Sequence, residues 1–307
     1  MTDPIDDAVA VLRRGGLVGM PTETVYGLAA DASDEAAVRR IFTVKGRPAD
    51  HPLIVHVAAA DQLPAWCHEV PATAVALAAT CWPGPLTLLV PKAEDVLAVV
   101  TGGRDTVGIR VPSHPVAQEL LRRFGGGLAA PSANRFGHVS PTTADHVRAD
   151  LGDDVDMVLD GGPSTIGVES TIVDCTVSPP QILRPGAITA EQIEQLLGLA
   201  AAETSGPSRA SGMLSSHYAP RATVIAVESA AAAIAAADAQ SARGEQVEVL
   251  DPTDDLVTAA HQLYSWLRDA DDRGVTTIVA VLPAPAGLGA AIRDRLLKAA
   301  GLGSTRS

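Results

Sequence analysis

The residues whose types could do chemistry are concentrated in four short segments of the chain. Each segment follows a short apolar stretch or borders one, as loops that leave buried strands do. The segments are residues 21–28, 45–56, 131–142 and 161–186. Because open α/β sheets bind ligands where loops leave their strands, these segments are the candidates for a functional site.

The first two segments carry hydroxyl groups and cations. Thr22 and Thr24 could hold a small polar ligand, or they could belong to a threonine-rich turn that Glu23 caps. Lys45 and Arg47 lie two residues apart. The ammonium group of Lys45 beside the planar guanidinium of Arg47 would suit a polyphosphate ligand. The alternative is that both side chains belong to a solvated basic turn without a ligand.

Two histidines follow these cations. No acidic or cysteine side chain stands at metal-ligand spacing from His51 and His56, so we do not predict a metal site there. A single histidine on an apolar strand is usually a hydrogen-bonded core residue, and this is the alternative for His56.

The third and fourth segments offer neutral donors and one further cation. Ser132 and Asn134 could complete an anion site without adding charge. The Ser-Pro-Thr-Thr turn that follows is also a usual helix start, with Ser140 or Thr142 as the N-cap. Arg184 precedes a Pro-Gly turn, which would hold that cation in place.

Composition narrows the possible classes of function. The 307 residues include 23 Lys and Arg against 36 Asp and Glu, a formal net charge of −13, which disfavours a general nucleic-acid coat protein. The 3 cysteines form no CxxC pair, so a disulfide framework and a cysteine-based zinc site are excluded. Without a long apolar run or the order of a signal peptide, the sequence predicts a cytoplasmic enzyme.

Short apolar strands alternate with helical stretches along most of the chain, and this alternation predicts an α/β fold. We expect a first domain over residues 1–199. Small and polar residues at 200–221 predict a linker. Residues 222–307 contain three β-α units and predict a small, Rossmann-like, parallel α/β domain.

Nine collinear stretches, which cover most of residues 15–220, resemble the YrdC-like threonylcarbamoyl-AMP synthases in their long form with an added C-terminal domain. They are PTETVYGL (21–28), IFTVKGRP (41–48), PLIVHV (52–57), WPGPLTLLV (82–90), TVGIRVPSHP (106–115), AAPSANRFGHVSPT (129–142), GVESTIVD (167–174), ILRPGAI (182–188) and SHYAP (216–220). The resemblance implies a twisted, open, mixed sheet with helices for the first domain.

The resemblance also implies a reaction. Such an enzyme is a nucleotidyltransferase that joins L-threonine, bicarbonate or CO2, and ATP into L-threonylcarbamoyladenylate and releases pyrophosphate, the first step of threonylcarbamoyladenosine formation in tRNA. Mg²⁺ would accompany ATP, and no prosthetic group or protein metal site is expected. The adenylate would pass to a tRNA threonylcarbamoyl transferase complex, with weak or no direct tRNA binding and no membrane.

Two alternatives stay open at this point. A tRNA or double-stranded RNA binding module could use the same basic concavity without catalysis, although the net charge of −13 argues against it. A carbamoyl-transfer maturation protein could also use this domain, but that architecture normally adds zinc-binding CxxC pairs, which do not occur in this sequence.

Site residues carried over by position fall into three groups. The implied L-threonine contacts are Thr24, His56, Arg110, Ala130 and Ser170, with Arg110 holding the carboxylate. The implied ATP contacts are Arg47, His51, Thr106, Ser132, Ser140, Arg184 and Tyr218. A tetrad assigned to catalysis at the phosphates comprises Lys45, Arg47, Ser132 and Asn134. For Thr22 and Lys45, a role in supporting the site rather than touching the ligand is the alternative.

The linker and one loop residue depart from the family pattern. His51 stands where the family usually has Asn before Pro-Leu, so a contact of different reach is implied. Residues 210–213 replace the more usual Ser/Ala-Pro-Gly pattern, which we expect to loosen the linker. Because Tyr218 belongs to the linker, we expect the linker to fold over the nucleotide as a lid.

Overall fold

A computed structural model of the protein describes residues 3–200 and 218–303. The helices up to residue 200 are α1 (Pro4–Arg13), α2 (Glu35–Lys45), α3 (Ala72–Cys81), α4 (Ala98–Thr101), α5 (Pro115–Phe124), α6 (Ala144–Leu151) and α7 (Ala190–Leu197). The strands of this part are β1 (Val18–Met20), β2 (Gly27–Asp31), β3 (Ile54–His56), β4 (Leu86–Pro91), β5 (Thr106–Arg110), β6 (Leu128–Ala129), β7 (Met157–Val158), β8 (Thr171–Asp174) and β9 (Gln181–Arg184).

These strands form one mixed sheet in the order β7-β1-β2-β6-β3-β5-β4-β8-β9. Three neighbouring pairs are parallel (β1 with β7, β3 with β5, β4 with β8), and the other pairs in this order are antiparallel. In the register of β3 and β5, His56 lies directly opposite Arg110. The order therefore brings two predicted site residues, 54 positions apart in the chain, onto neighbouring strands.

Beyond residue 218 a second, smaller sheet forms. Its strands are β10 (Thr223–Val227), β11 (Val247–Leu250) and β12 (Thr277–Val281), with helices α8 (Ala230–Ser241), α9 (Leu256–Asp272) and α10 (Gly287–Ala299). All pairs are parallel, and β12 lies in the centre. The predicted fold class, a mixed open sheet followed by a small parallel α/β unit, is thus confirmed.

Helix capping places the first cations of the site. Asp34 caps α2 by accepting hydrogen bonds from the backbone N–H groups of Ala36 and Ala37. The helix ends after Lys45 because Gly46 adopts a left-handed conformation with φ of 63°. The Lys45 side chain therefore starts from the last turn of a helix, whereas Arg47 starts from the loop after it.

Two strands were not expected from the sequence. The polar segment 21–28 leads into β2. This strand packs closely against its neighbour, because a Cβ on Gly27 would lie only 3.2 Å from Cβ of Ala130. Strand β9 completes the sheet edge before the Pro-Gly turn that follows Arg184. Both strands are short, and neither has enough alternating apolar and polar residues to be distinguished from a loop in the sequence.

Apolar side chains form a continuous core between the two units. Val25, Val139 and Val168 from the first pack in one buried cluster with Leu263 and Leu296 from the second. The domain limits 1–199 and 222–307 stay predictions. Most of the expected linker 200–221, including the departure at 210–213, lies outside the described residues. Within the described ranges no helix is long and apolar enough to span a membrane.

Candidate functional site

A cavity lies on one face of the large sheet, with its floor on β3 and β5. Ile54 and His56 are two residues apart on β3, so their side chains lie on the same face of the sheet. Arg110 lies beside His56 on β5. The lining residues are Thr22, Thr24, Val25, Gly27, Arg47, Ile54, His56, Arg110, Ala130, Pro131, Ser132, Glu169, Arg184 and Tyr218. The site therefore has a sheet floor as well as the loop walls that the sequence predicted.

Most of the predicted site residues meet at this cavity. Those that line it are Thr24, Arg47, His56, Arg110, Ala130, Ser132, Arg184 and Tyr218. Those that do not are Lys45, His51, Thr106, Asn134, Ser140 and Ser170. Within this second group, Lys45 contacts Ser132, Ser140 contacts Glu169 and Ser170 contacts Arg184, and these three partners belong to the cavity wall.

Lys45 and Asn134 support the loop that carries Ser132. Lys45 Nζ is buried and donates hydrogen bonds to the backbone oxygens of Ser132 and Asn134, both at 2.5 Å. Burial, together with the charge of Arg47, lowers the pKa of Lys45 well below its usual value. Asn134 Nδ2 donates to backbone oxygens of the same loop. A direct contact of either side chain with phosphate stays a prediction.

Ser170 positions Arg184. Its backbone oxygen accepts hydrogen bonds from Arg184 Nε and Nη2 at 3.0 and 2.9 Å, and its hydroxyl oxygen accepts another from Nη2 at 3.0 Å. The Ser170 hydroxyl also shares a hydrogen bond of 2.8 Å with the hydroxyl of Thr87 on β4. These hydrogen bonds fix Arg184 in the cavity wall, where its side chain is buried.

Arg47 lies on the cavity wall, whereas His51 lies outside the lining residues. Burial lowers the pKa of Arg47 to about 10, so its guanidinium stays charged near neutral pH. The Arg47 guanidinium carbon lies 5.8 Å from the ring centroid of Phe136, and the His51 ring is tilted against the same ring at 5.5 Å. Thr106 begins β5, at the opposite end of that strand from Arg110.

Glu23 holds Arg110 in the cavity. Arg110 Nη2 donates to Glu23 Oε1 at 2.6 Å, and Glu23 Oε2 accepts from the backbone N–H of Ser113 at 3.1 Å. Burial would raise the pKa of Glu23, but the adjacent Arg110 outweighs it and the pKa is lowered. From the sequence, Glu23 was expected only to cap a threonine-rich turn. Its contact with Arg110, 87 residues away, has no local signal.

His56 is a neutral group at the cavity floor. Burial and the charge of Arg110 lower the pKa of His56 to about 3, so the imidazole is uncharged at neutral pH. Among the described residues its Nδ1 has no hydrogen-bond partner. A neutral imidazole can donate from one nitrogen and accept at the other, which suits a ligand that carries hydroxyl or amine groups.

Glu169 is a second buried carboxylate in the wall, and sequence reasoning missed its role. Ser140 donates a hydrogen bond to Oε1 at 2.6 Å, while Tyr264 and Arg295 donate to Oε2 at 2.7 and 2.8 Å. Burial would raise the pKa of Glu169, but Arg295 and Arg184 lower it to about 2. Ser140 therefore contacts Glu169, and the contact with ATP that the resemblance implied stays a prediction.

The arrangement is suited to anionic ligands. Three buried guanidinium groups, of Arg47, Arg110 and Arg184, converge on one cavity, and the two carboxylates near them are each paired with an arginine. Arginine is the side chain best matched to carboxylate and phosphate groups. In the described part of the chain, no group of three or more His, Cys, Asp or Glu side chains could hold a metal ion.

Comparisons with known proteins identify the family. A family model described as telomere recombination (Sua5, YciO and YrdC) matches residues 10–186, and a model described as the C-terminal domain of threonylcarbamoyl-AMP synthase matches residues 188–301. The threonylcarbamoyl-AMP synthase of Pyrococcus abyssi is 42% identical, with 96% of this chain and 93% of the relative covered. That of Bacillus subtilis is 41% identical, with 97% and 94% covered.

A solved structure agrees with these relatives. The crystal structure of P. abyssi Sua5 complexed with L-threonine superposes with a TM-score of 0.93 at 42% identity, covering 97% of this chain and 94% of that one. The catalytic interpretation is supported over the RNA-binding alternative by the names of the relatives. The chain therefore belongs to the threonylcarbamoyl-AMP synthase family, as the collinear motifs of its sequence predicted.

Proposed function

We propose that this cavity binds L-threonine and ATP and joins them through bicarbonate or CO2, giving L-threonylcarbamoyl-AMP and pyrophosphate. The observation that carries the proposal is the convergence of Arg47, Arg110 and Arg184 on one buried cavity, in a chain whose net charge is −13. Few cations are available, and three of them meet where an amino acid and a nucleotide would have to lie side by side.

The threonine would lie on the sheet floor. Arg110 would hold its carboxylate, with a guanidinium that Glu23 already orients. Thr24 and the neutral imidazole of His56 line the same end and can form hydrogen bonds to the amine or the hydroxyl. A neutral His56 also adds no second positive charge beside the amine, which must lose a proton before it can form a carbamate.

ATP would lie toward Arg47, Ser132 and Arg184. The carbamate oxygen attacks the α-phosphorus, the bond from that phosphorus to the bridging oxygen breaks, and pyrophosphate leaves with the electron pair. Arg47 and Arg184 would neutralise charge on the phosphates, so the protein mainly positions the reactants. No side chain has to form a covalent bond.

Mg²⁺ would enter with ATP as part of the substrate. Glu23 and Glu169, the carboxylates at this cavity, each pair with an arginine, which leaves the phosphate oxygens as the main ligands for the ion. We further propose that the adenylate passes to a tRNA threonylcarbamoyl transferase complex in the cytoplasm, with little direct tRNA binding by this chain.

The direct test is pyrophosphate release from ATP and Mg²⁺ by the purified chain, with bicarbonate present and threonine added or omitted. We expect release that depends on threonine, and we expect Arg47→Ala to suppress it. RNA affinity that falls steeply with salt, without threonine-dependent pyrophosphate release, would instead favour the RNA-binding alternative.

A further inference from the structure

Two residues of the C-terminal unit reach the wall of the cavity. Arg295 on α10 is 1% exposed, and its Nε donates to Glu169 Oε2 at 2.8 Å. Its Nη1 donates to the backbone oxygen of Pro185 at 3.0 Å, directly after β9. Tyr264 on α9 donates to the same carboxylate oxygen at 2.7 Å. The carboxylate belongs to the first unit, and among the described residues two of its three donors belong to the second.

The same two residues contact Tyr218, which lines the cavity. The Arg295 guanidinium carbon lies 5.3 Å from the centre of the Tyr218 ring, and the ring of Tyr264 is stacked on it at 5.7 Å. Tyr218 has a φ of 63°, which is strained for a bulky side chain. Strain of this kind persists only where the surroundings enforce it. Arg295 and Tyr264 are among the side chains that hold the Tyr218 ring.

The charge of Glu169 matters because of where it lies. Its carboxylate shares the cavity wall with Arg47 and Arg184, the cations that we assign to the phosphates. A carboxylate without a cation at this place would repel a polyphosphate, and burial would strengthen the repulsion. Arg295 supplies the positive charge that offsets Glu169, while Ser140 and Tyr264 supply neutral donors.

We propose that Arg295 is a positioning residue for the nucleotide. By pairing with Glu169 and stacking on Tyr218, it sets both the charge and the shape of the ATP side of the cavity from the C-terminal unit. The proposal rests on the assignment of this cavity to ATP and threonine. It gives the C-terminal unit a direct part in nucleotide binding, through a side chain that does not touch the substrate.

The test compares Arg295→Met with Arg268→Met in the full chain. Arg268 is the matched control because it also joins the two units, with Nη2 2.6 Å from Asp150 Oδ2, but it does not contact Glu169. Circular dichroism would show whether each variant folds. Calorimetry would measure the Kd for ATP, and pyrophosphate release at varied substrate would measure the KM for ATP and for threonine. We expect Arg295→Met to weaken ATP binding by about tenfold or more, with the KM for threonine nearly unchanged. Arg268→Met should leave both constants unchanged.

A second substitution separates charge from packing. In Arg295→Met/Glu169→Gln the unpaired carboxylate is gone, so ATP binding should recover a large part of the loss, which a merely structural role for Arg295 would not predict. If Arg295→Met does not fold, Tyr264→Phe removes one donor to Glu169 and should weaken ATP binding by about threefold.

Three results would overturn the proposal: an unchanged ATP Kd in folded Arg295→Met, equal losses in Arg295→Met and Arg268→Met, or no recovery in the double variant. Because the Kd is measured without turnover, a chain that binds ATP but forms no adenylate would refute the proposed function and would still test Arg295.

Discussion

Replacing Arg110 with Met would leave the Glu23 carboxylate buried without its cation. The two side chains are 5% and 6% exposed and their charged atoms are 2.6 Å apart, so water cannot take the place of the lost partner. Removing one partner of a buried ion pair costs about 3–5 kcal/mol. Since Ser113 still donates to Glu23, we expect the free energy of unfolding to fall by roughly 3 kcal/mol, the lower end of that range.

The double variant Arg110→Met/Glu23→Gln removes the stranded charge as well. It should therefore regain most of the lost stability. Threonine binding should not recover, because both variants lack the guanidinium that would hold the threonine carboxylate. A charge-assisted hydrogen bond contributes about 2 kcal/mol, so kcat/KM for threonine should fall about 30-fold in both variants.

Urea denaturation followed by tryptophan fluorescence would measure stability, and pyrophosphate release at varied threonine would measure kcat/KM. If stability and threonine kcat/KM recovered together in the double variant, Arg110 would act only through Glu23 and would not hold the threonine carboxylate. An unchanged stability in the single variant would show that the ion pair does not matter to the fold.

Three further predictions follow from the same geometry. Arg47→Ala should lower kcat/KM for ATP by about 30-fold, measured by pyrophosphate release, whereas the equivalent loss for threonine should be small. Gly167→Ala should destabilise the protein by about 2 kcal/mol or more in urea, because its Cβ would lie 2.4 Å from backbone oxygens of α9. Gly162→Ala is the control, since its φ of 79° is similarly positive but nothing lies within 4 Å. The free energy of unfolding should decrease as the pH falls from 6.5 toward 3, because an unfolded histidine takes up a proton in this range and buried His56 does not. His56→Gln should make that decrease shallower.

Local sequence patterns were sufficient for much of the fold and for part of the site. Asp3 followed by Pro4 is a usual helix start, and α1 begins there with the Asp3 carboxylate accepting from the backbone N–H of Ile5. The family resemblance assigned Arg110 to threonine and Arg47 and Arg184 to ATP, and all three line one cavity. Arg47 and Arg184 also stood out in the sequence itself, because each lies beside a glycine- and proline-containing turn in an acidic chain.

The contacts that hold the site were not predictable in the same way. Arg295 lies 126 residues from Glu169 in the chain, and no local sequence pattern around either residue predicts that they form an ion pair. Its own position carries a partial signal, since Ile292, Arg295 and Leu296 share the buried face of α10 and a cation stands where an apolar residue is expected. Lys45 shows the converse, because its residue type suits phosphate while the fold points its amine at two carbonyl oxygens.

The proposed function requires that this chain build an adenylate from three substrates in one cavity. Its most direct test is mass spectrometry of the product formed from ATP, L-threonine and ¹³C-bicarbonate. We expect threonylcarbamoyl-AMP that carries the label from bicarbonate and is absent when threonine is left out. AMP and pyrophosphate formed without a labelled threonine adduct, at the same rate with and without threonine, would show that this chain does not make the adenylate.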